Sequence, residues 1–501
     1  MKPNHILRRA LRFALVAGAA CGALQAHAVV QGISGTEASG TRHFDLVAAD
    51  GHISMADGKQ VYMWGYGQDS GQRLMQYVGP TLLVNQGETV TVTLTNNLPV
   101  CTSIQFVGQV ITEPSPAVAQ CSDNVIAGQA APGGQVTYTF VATNPGTYTY
   151  QSGTRTSLQA EMGLIGAMVV YPTGYPKDGA SKRAYAHAGT TFDREYLLVA
   201  SDLDSNIHSA VYEQVSTCLN AGNTQCDSVI KVDLSKRFPD YWMLNGRTSP
   251  DVFAKNFQPG AGSSILPHQP YNAMPRMHPG EKLLLRMVGA GADMHPMHHH
   301  GNNSWGIARD GRMLSSTPDD QTANGAGPDL ALSDYTIPTT PGQTYDAIWT
   351  WTGKGLGWDI FGATCRRGQP VTIDNCRFGK PNLTTGVIPP FGNANGPADR
   401  GDGQPFVSTQ DPLTDMYKPI PVTLPSELEL AFGEFYSGSP YLGDFGARPV
   451  GAGAANTTAG YFHMFHSHNE REVVNGGIFP GGMLTMIVVE PFSVAIDAGQ
   501  P

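Results

Sequence analysis

The strongest constraint on this chain is an internal repeat. Gly87 to Gly108 aligns with Gly280 to Gly301 at a constant offset of 193 residues and without a gap. Gly87-Glu88 matches Gly280-Glu281, and Gln105-Phe106-Val107-Gly108 matches His298-His299-His300-Gly301. The likeness then continues in the same order. Pro132-Gly133-Gly134-Gln135 corresponds to Pro341-Gly342-Gln343, and Tyr150-Gln151-Ser152-Gly153 to Phe465-His466-Ser467-His468. Ala167-Met168-Val169-Val170-Tyr171-Pro172 corresponds to Met486-Ile487-Val488-Val489-Glu490-Pro491. Repetition in a fixed order implies two tandem copies of one structural unit.

That unit reads as β. Thr89 to Thr95 alternates strictly, with Val90, Val92 and Leu94 on one face, as a half-buried strand requires. Val136 to Phe140 and Tyr148 to Tyr150 are rich in β-branched and aromatic residues. Pro132-Gly133-Gly134 and Asn144-Pro145-Gly146 punctuate them as turns. No long helical period interrupts residues 29 to 172. Short strands at this spacing predict a β-sandwich, so the fold class is all-β. The expected divisions are a first sandwich over 29–172 and a second over 173–500. Residues 173 to about 275 would hold the linker and opening strands of the second copy, among them Tyr196 to Ala200. A Gly-, Pro- and Asn-rich insertion occupies about 355–458. One that long carries a function or covers a site, or it hides a degenerate third domain.

The N-terminus bears on compartment. Lys2, Arg8, Arg9 and Arg12 precede the apolar run Phe13 to Leu24, and Ala26-His27-Ala28 supplies a small-x-small cleavage pattern. Residues 1–28 therefore read as a cleaved export signal, too short for an anchor span, and the expected location is periplasmic or secreted. Loss of those four basic residues leaves 27 Lys and Arg against 41 Asp and Glu, a net charge of −14. Such an acidic surface excludes nucleic acid as a partner. Six cysteines remain, in three sequence-local pairs, and an even count in an exported chain suggests disulfides. The expected pairing is Cys101–Cys121, Cys218–Cys226 and Cys365–Cys376, with buried free thiols as the alternative.

Chemistry concentrates in two places. Seven of the chain's 15 histidines lie in His295-Pro296-Met297-His298-His299-His300 and His463-Met464-Phe465-His466-Ser467-His468. Each segment carries a His-x-His pair, and on a strand residues i and i+2 face the same way. If the two strands are neighbours, His298, His300, His466 and His468 converge. Four imidazoles suit copper, zinc, nickel or iron. Two such pairs at matching places in a repeat favour a metal site over surface decoration. His295, His299 and His463 are further candidates, although His299 points to the opposite face and reads as structural. Met274, Met277, Met287, Met294, Met297 and Met464 crowd the region. Thioether sulfur favours Cu(I), but methionine also fills irregular cores. Glu470 and Glu472 read either as carboxylates supporting the site or as surface solvation.

At these residues the chain resembles the multicopper oxidases of the cupredoxin superfamily. His295-Pro296-Met297-His298-His299-His300-Gly301 is similar to the family's third motif with its three ligand positions kept. Thr102 to Gly108 resembles the first motif, and Tyr150-Gln151-Ser152-Gly153 the second, each with both histidines replaced. The fourth motif is His-Cys-His with a further His four residues on; here it reads His466-Ser467-His468, with Glu472 at the later place. The resemblance implies tandem cupredoxin-like Greek-key β-sandwiches with a long loop-rich insertion in the second. In that family a mononuclear copper held by two His and a Cys thiolate feeds electrons to a three-copper cluster bound by eight His. Ser467 cannot supply the thiolate, and Glu472 leaves only His295 of that histidine pair. Four of the eight cluster positions are Gln105, Val107, Gln151 and Gly153, and no assembly of identical subunits restores them.

Three functions remain open. One is an exported copper-binding protein with metal at His298, His300, His466, His468 and His295, which keeps or shuttles copper or oxidises a substrate at a single site. Another is an oxidase of the resembled family with rearranged centres, completed by a partner protein. The third is a metal-free scaffold. The expected cofactor is copper, with another transition metal compatible with the same donors. The expected partners are a metal ion, with room for a protein partner or a homo-oligomer, and no membrane span.

Overall fold

Alternating side chains need a two-layer arrangement, and the chain supplies it twice. The structure, a computed structural model, describes residues 30–71, 74–115, 121, 126–175, 182–257, 265–278, 281–317, 325–351 and 461–490, with short pieces at 364–365, 376–377, 439–440 and 495–496. The leader expected at 1–28 and nearly all of the insertion expected at about 355–458 lie outside these residues.

In the front sandwich Thr41–Ser54 (β1) pairs antiparallel with Gln60–Gln68 (β2). Leu82–Asn85 (β3) precedes Thr89–Asn96 (β4), which runs parallel to β1. Gln105–Phe106 (β5), Gln135–Val141 (β6), Gly146–Gln151 (β7) and Ile165–Tyr171 (β8) follow. One sheet runs β2–β1–β4–β6 and the other β3–β8–β7–β5. The alternation read from the sequence holds along β4: Val90, Val92 and Leu94 are fully buried while the threonines between them are half-exposed. They pack with Phe44, Trp64, Tyr138 and Phe140 in the core.

The second sandwich repeats this order. Arg194–Leu203 (β9) and Tyr241–Leu244 (β10) pair antiparallel. Arg276–Met277 (β11), Lys282–Gly289 (β12), His295–His299 (β13), Ser304–Arg309 (β14), Thr336–Thr339 (β15), Thr344–Thr350 (β16), Tyr461–Ser467 (β17) and Leu484–Val489 (β18) complete it. Its sheets run β10–β9–β12–β16–β14 and β11–β18–β17–β13–β15. Strand direction is kept as well: β9 is parallel to β12 as β1 is to β4, and β11 to β18 as β3 is to β8. The sequence repeat is thus a repeat of strand order and sense.

One element departs from the expectation for the linker region. Ser205–Asn220 forms a helix (α1). Asp204 caps it, its carboxylate accepting the Asn206 N–H at 2.9 Å, which satisfies a donor the first turn leaves open. Ile207, Val211, Val215 and Cys218 recur at helical spacing and bury against the front core. Disulfides join Cys218 to Cys226 and Cys101 to Cys121, as expected. Cys365 and Cys376 stand opposite each other on two short antiparallel strands; their side chains lie outside the described residues. No helix among the described residues is long and apolar enough to cross a membrane.

The two sandwiches share a core. Val47, Met63 and Val169 of the front pack in one cluster with Leu197, Val199, Met243 and Val288 of the second. Beside it lies a fully buried polar knot. Arg286 donates from Nε to Glu195 at 2.8 Å and from Nη1 to Thr147 Oγ1 at 3.0 Å, with Asp346 Oδ2 3.5 Å away. Thr147 and Tyr185 donate to Asp346 at 2.6 and 2.7 Å, and Tyr171 to Glu195 at 2.7 Å. Arg286→Met would leave two buried carboxylates without their cation. We expect it to cost about 3–5 kcal/mol, read as a lower midpoint in urea unfolding.

Candidate metal centre

The site is built by one strand pair. β13 and β17 run antiparallel with His298 opposite His466 and His299 opposite Phe465. Burial alternates along β13, so His295, Met297 and His299 face the core and His298 faces out. Along β17, Phe465 and Ser467 face in and His466 faces out. His300 follows β13 and is exposed, as is His468 beyond β17. The pairing therefore puts imidazoles from both His-x-His segments on one outer face.

Three of them converge. One ring nitrogen from each of His298, His300 and His466 lies within 4.8 Å of the others. His466 Nε2 is 3.3 Å from His300 Nε2, close to the roughly 3.4 Å that separates two nitrogens bound tetrahedrally to one ion. On two of them a neighbour occupies Nδ1. His466 Nδ1 donates to the Ser467 carbonyl at 2.7 Å, and His298 Nδ1 meets Thr336 Oγ1 at 3.0 Å. An imidazole held this way at one nitrogen offers the other as a ligand. His468 meets His298 edge-on, with ring centroids 4.9 Å apart, but it does not supply one of the three converging nitrogens. Burial, and then repulsion from neighbouring imidazoles, lowers the pKa of His298 to about 4 and depresses His300. Burial also depresses His466. The three are thus neutral, the form that binds metal.

His295 is placed elsewhere. It lies three positions before His298, an odd step that turns it to the inner face of the strand. Its Nδ1 lies 2.9 Å from Glu472 Oε2. Its Nε2 lies 3.4 Å from Asp202 Oδ1, a charge contact rather than a formed hydrogen bond. Glu472 also accepts the Ser467 hydroxyl at 2.6 Å and the Asn469 amide at 2.9 Å. Asp202 in turn pairs with Arg237 at 2.5 Å, and Arg237 with Glu161 at 2.5 Å. The three places that would hold the resembled family's mononuclear copper thus form a buried imidazole–carboxylate–hydroxyl knot. Burial alone would depress the His295 pKa, but the two carboxylates beside it, Asp202 and Glu472, outweigh it and raise it to about 9.

The other candidates divide by face. His299 is buried with Nε2 2.9 Å from Ser304 Oγ, the structural role expected of it. His463 is buried between Trp349 and Trp351, at 5.4 and 5.5 Å between ring centroids. Met277, Met287 and Met297 are fully buried, as core filling requires. Glu470 is exposed and Glu472 buried. Asp202, Arg237 and Thr336 were not legible in the motifs. Asp202 belongs to β9, and nothing in its local sequence marks it as the partner of His295.

The front copy carries other side chains at the equivalent register. Gln105 stands opposite Gln151 across β5 and β7, at the register where the second copy pairs His298 with His466. Gln105 and Val107 line a cavity of about 410 Å³ with Phe106, Ile111 and Tyr138. Neither residue is a ligand for a transition metal comparable to imidazole. A three-copper cluster does not fit these residues.

Residues 48–174 match a family model described as multicopper oxidase. The front sandwich is thus similar to a multicopper oxidase domain. The described chain as a whole is built on β-sheets, so its class is all-β. No curated protein matches the chain. Among solved structures, a multicopper oxidase, mgLAC, is 17% identical over 91% of this chain and 87% of its own, with a TM-score of 0.45. A blue copper oxidase from Nitrosomonas europaea is 17% identical over 89% and 85%, also at 0.45. A copper nitrite reductase from the same organism is 18% identical over 63% and 86%, at 0.38.

The His295 knot carries a pH signature. Because its folded pKa lies above the ordinary value of 6.5, the stabilisation is complete below about pH 6.5 and is lost as pH rises through about 9. Wild-type stability in urea should fall from pH 7 to 10. His295→Gln should be less stable at pH 7 and show a flatter fall.

Proposed function

We propose that this protein is an exported copper-binding protein that holds one copper ion at His298, His300 and His466, with His468 in reach as a further donor. The observation that carries the reading is the convergence of three neutral imidazoles, two of them anchored through Nδ1 so that Nε2 is left free. That donor set fits one copper ion, and copper there would supply one-electron redox chemistry. His300 is exposed, so a small reductant or an incoming ion reaches the donors directly. Simple copper-dependent oxidation is compatible with this access, as is storage or transfer of copper in the periplasm or outside the cell.

A four-centre relay is not supported by these residues. Ser467 replaces a thiolate, His295 is committed to Glu472 and Asp202, and Gln105 and Gln151 replace donors in the front copy. A blue centre needs the thiolate. Purified protein titrated with Cu(II) should bind one equivalent with a paramagnetic resonance spectrum of nitrogen ligation and no intense thiolate absorption. His466→Ala and His298→Ala should each weaken binding by more than the 10- to 100-fold (on the order of) seen when an outer partner is lost. Copper-free protein after titration would reject the reading, and an intense blue colour would reject the ligand set.

A further inference from the structure

The outer face that carries the imidazoles continues one strand further, and its next row is sulfur. His300 N–H donates to the Met464 carbonyl at 2.9 Å, which sets His300 beside Met464 across β13 and β17. Met464 stands opposite Met486 across β17 and β18. His300, Met464 and Met486 thus form one cross-strand row, adjacent to the row that begins with His298 and His466. Cross-strand neighbours hold their Cβ atoms about 4.5–5.5 Å apart, and the next row lies one two-residue step, about 6.8 Å, along the strands.

Packing does not account for these two methionines as it does for the others. Met277, Met287, Met297 and Met483 are fully buried and belong to the core of the second sandwich. Met464 and Met486 are half-exposed and lie outside that core. Their parity on β17 and β18 is opposite to that of the core residues Phe465 and Ile487. A thioether on a half-open sheet face next to imidazoles is chemically distinct from one filling a cavity. Thioether sulfur is a soft donor that selects Cu(I). Three rotatable bonds let each side chain swing its sulfur toward a shared point.

We infer that Met464 and Met486, with His300, form a second metal site on the outer face of β13, β17 and β18 that takes a soft monovalent ion, Cu(I). The site shares one ligand with the imidazole group and differs from it in preference. The nitrogen-rich donors suit Cu(II) and the sulfur pair suits Cu(I), so the two oxidation states have neighbouring seats on one face. The sulfur row rests on strand register and side-chain chemistry, independently of whether the three imidazoles hold an ion of their own.

Silver(I), a soft monovalent ion that does not change oxidation state here, is the probe. Full-length protein labelled with 13C in its methionine methyl groups is titrated with Ag(I), and resonances are assigned with Met464→Leu and Met486→Leu. The Met464 and Met486 methyls should move together at one equivalent, while those of buried Met297 and exposed Met294 stay. The Met464→Leu/Met486→Leu protein, which conserves volume, should lose Cu(I) to a chromogenic chelator that wild type resists, with Cu(II) binding unchanged. Methyl groups that stay still, a shift confined to Met294, or a double variant that retains Cu(I) as wild type does would each overturn the assignment. Failure of the imidazole reading would appear separately, as absent Cu(II) binding with the methyl shifts intact.

Discussion

The antiparallel pairing of β13 with β17 is the contact on which the rest depends. His300 and His466 are 166 residues apart in sequence, yet their Nε2 atoms come within 3.3 Å. Nothing local brings them there. The pairing exists because Met297 and Phe465 both need the same core, and a sheet that buries one face presents the alternate residues on the other. The outward histidines are thus positioned by the apolar residues between them. A slip of one residue would bury His298 and His466 and expose Met297, which the core would resist.

Tandem copies of one fold give an internal control. The register that sets His298 against His466 also sets Gln105 against Gln151. Backbone, strand sense and turn positions are held in common, while donor chemistry differs completely. Architecture and ligation have therefore separated in this chain: the front copy keeps the scaffold with amides in place of imidazoles. Its second role is mechanical, since Val47, Met63 and Val169 share a core with the second copy. Thr147 also completes the polar knot around Arg286.

Much of this was legible in the sequence, for reasons that can be named. Strict alternation at Val90, Val92 and Leu94 requires a strand buried on one face, and the structure has one. The 193-residue offset predicted a repeat of strand order, and sequence-local cysteines paired as neighbours do. His295 belongs to the same motif as the outward histidines, yet strand parity turns it inward, as it does His299. Helix α1 lies in a stretch between the two copies that carries no repeat, although Asp204 as cap and Ile207, Val211 and Val215 at intervals of four signal it. The partnership of His295 with Asp202 was beyond reach, since it joins side chains from strands distant in sequence and depends on sandwich geometry.

The knot of His295, Glu472 and Ser467 has a consequence for how such a chain can change. Three positions that would cooperate around an ion now satisfy one another without it, and each is buried. Replacing Ser467 with cysteine alone would set a weak thiol donor against the Glu472 carboxylate, and replacing Glu472 with histidine alone would take from His295 the carboxylate that holds its Nδ1. Either single change weakens or removes a hydrogen-bond partner of a buried group, which is costly. The sealed side of the strand pair is therefore intolerant of single substitutions, whereas the open side of the sheet can accept a new donor without disturbing a partner.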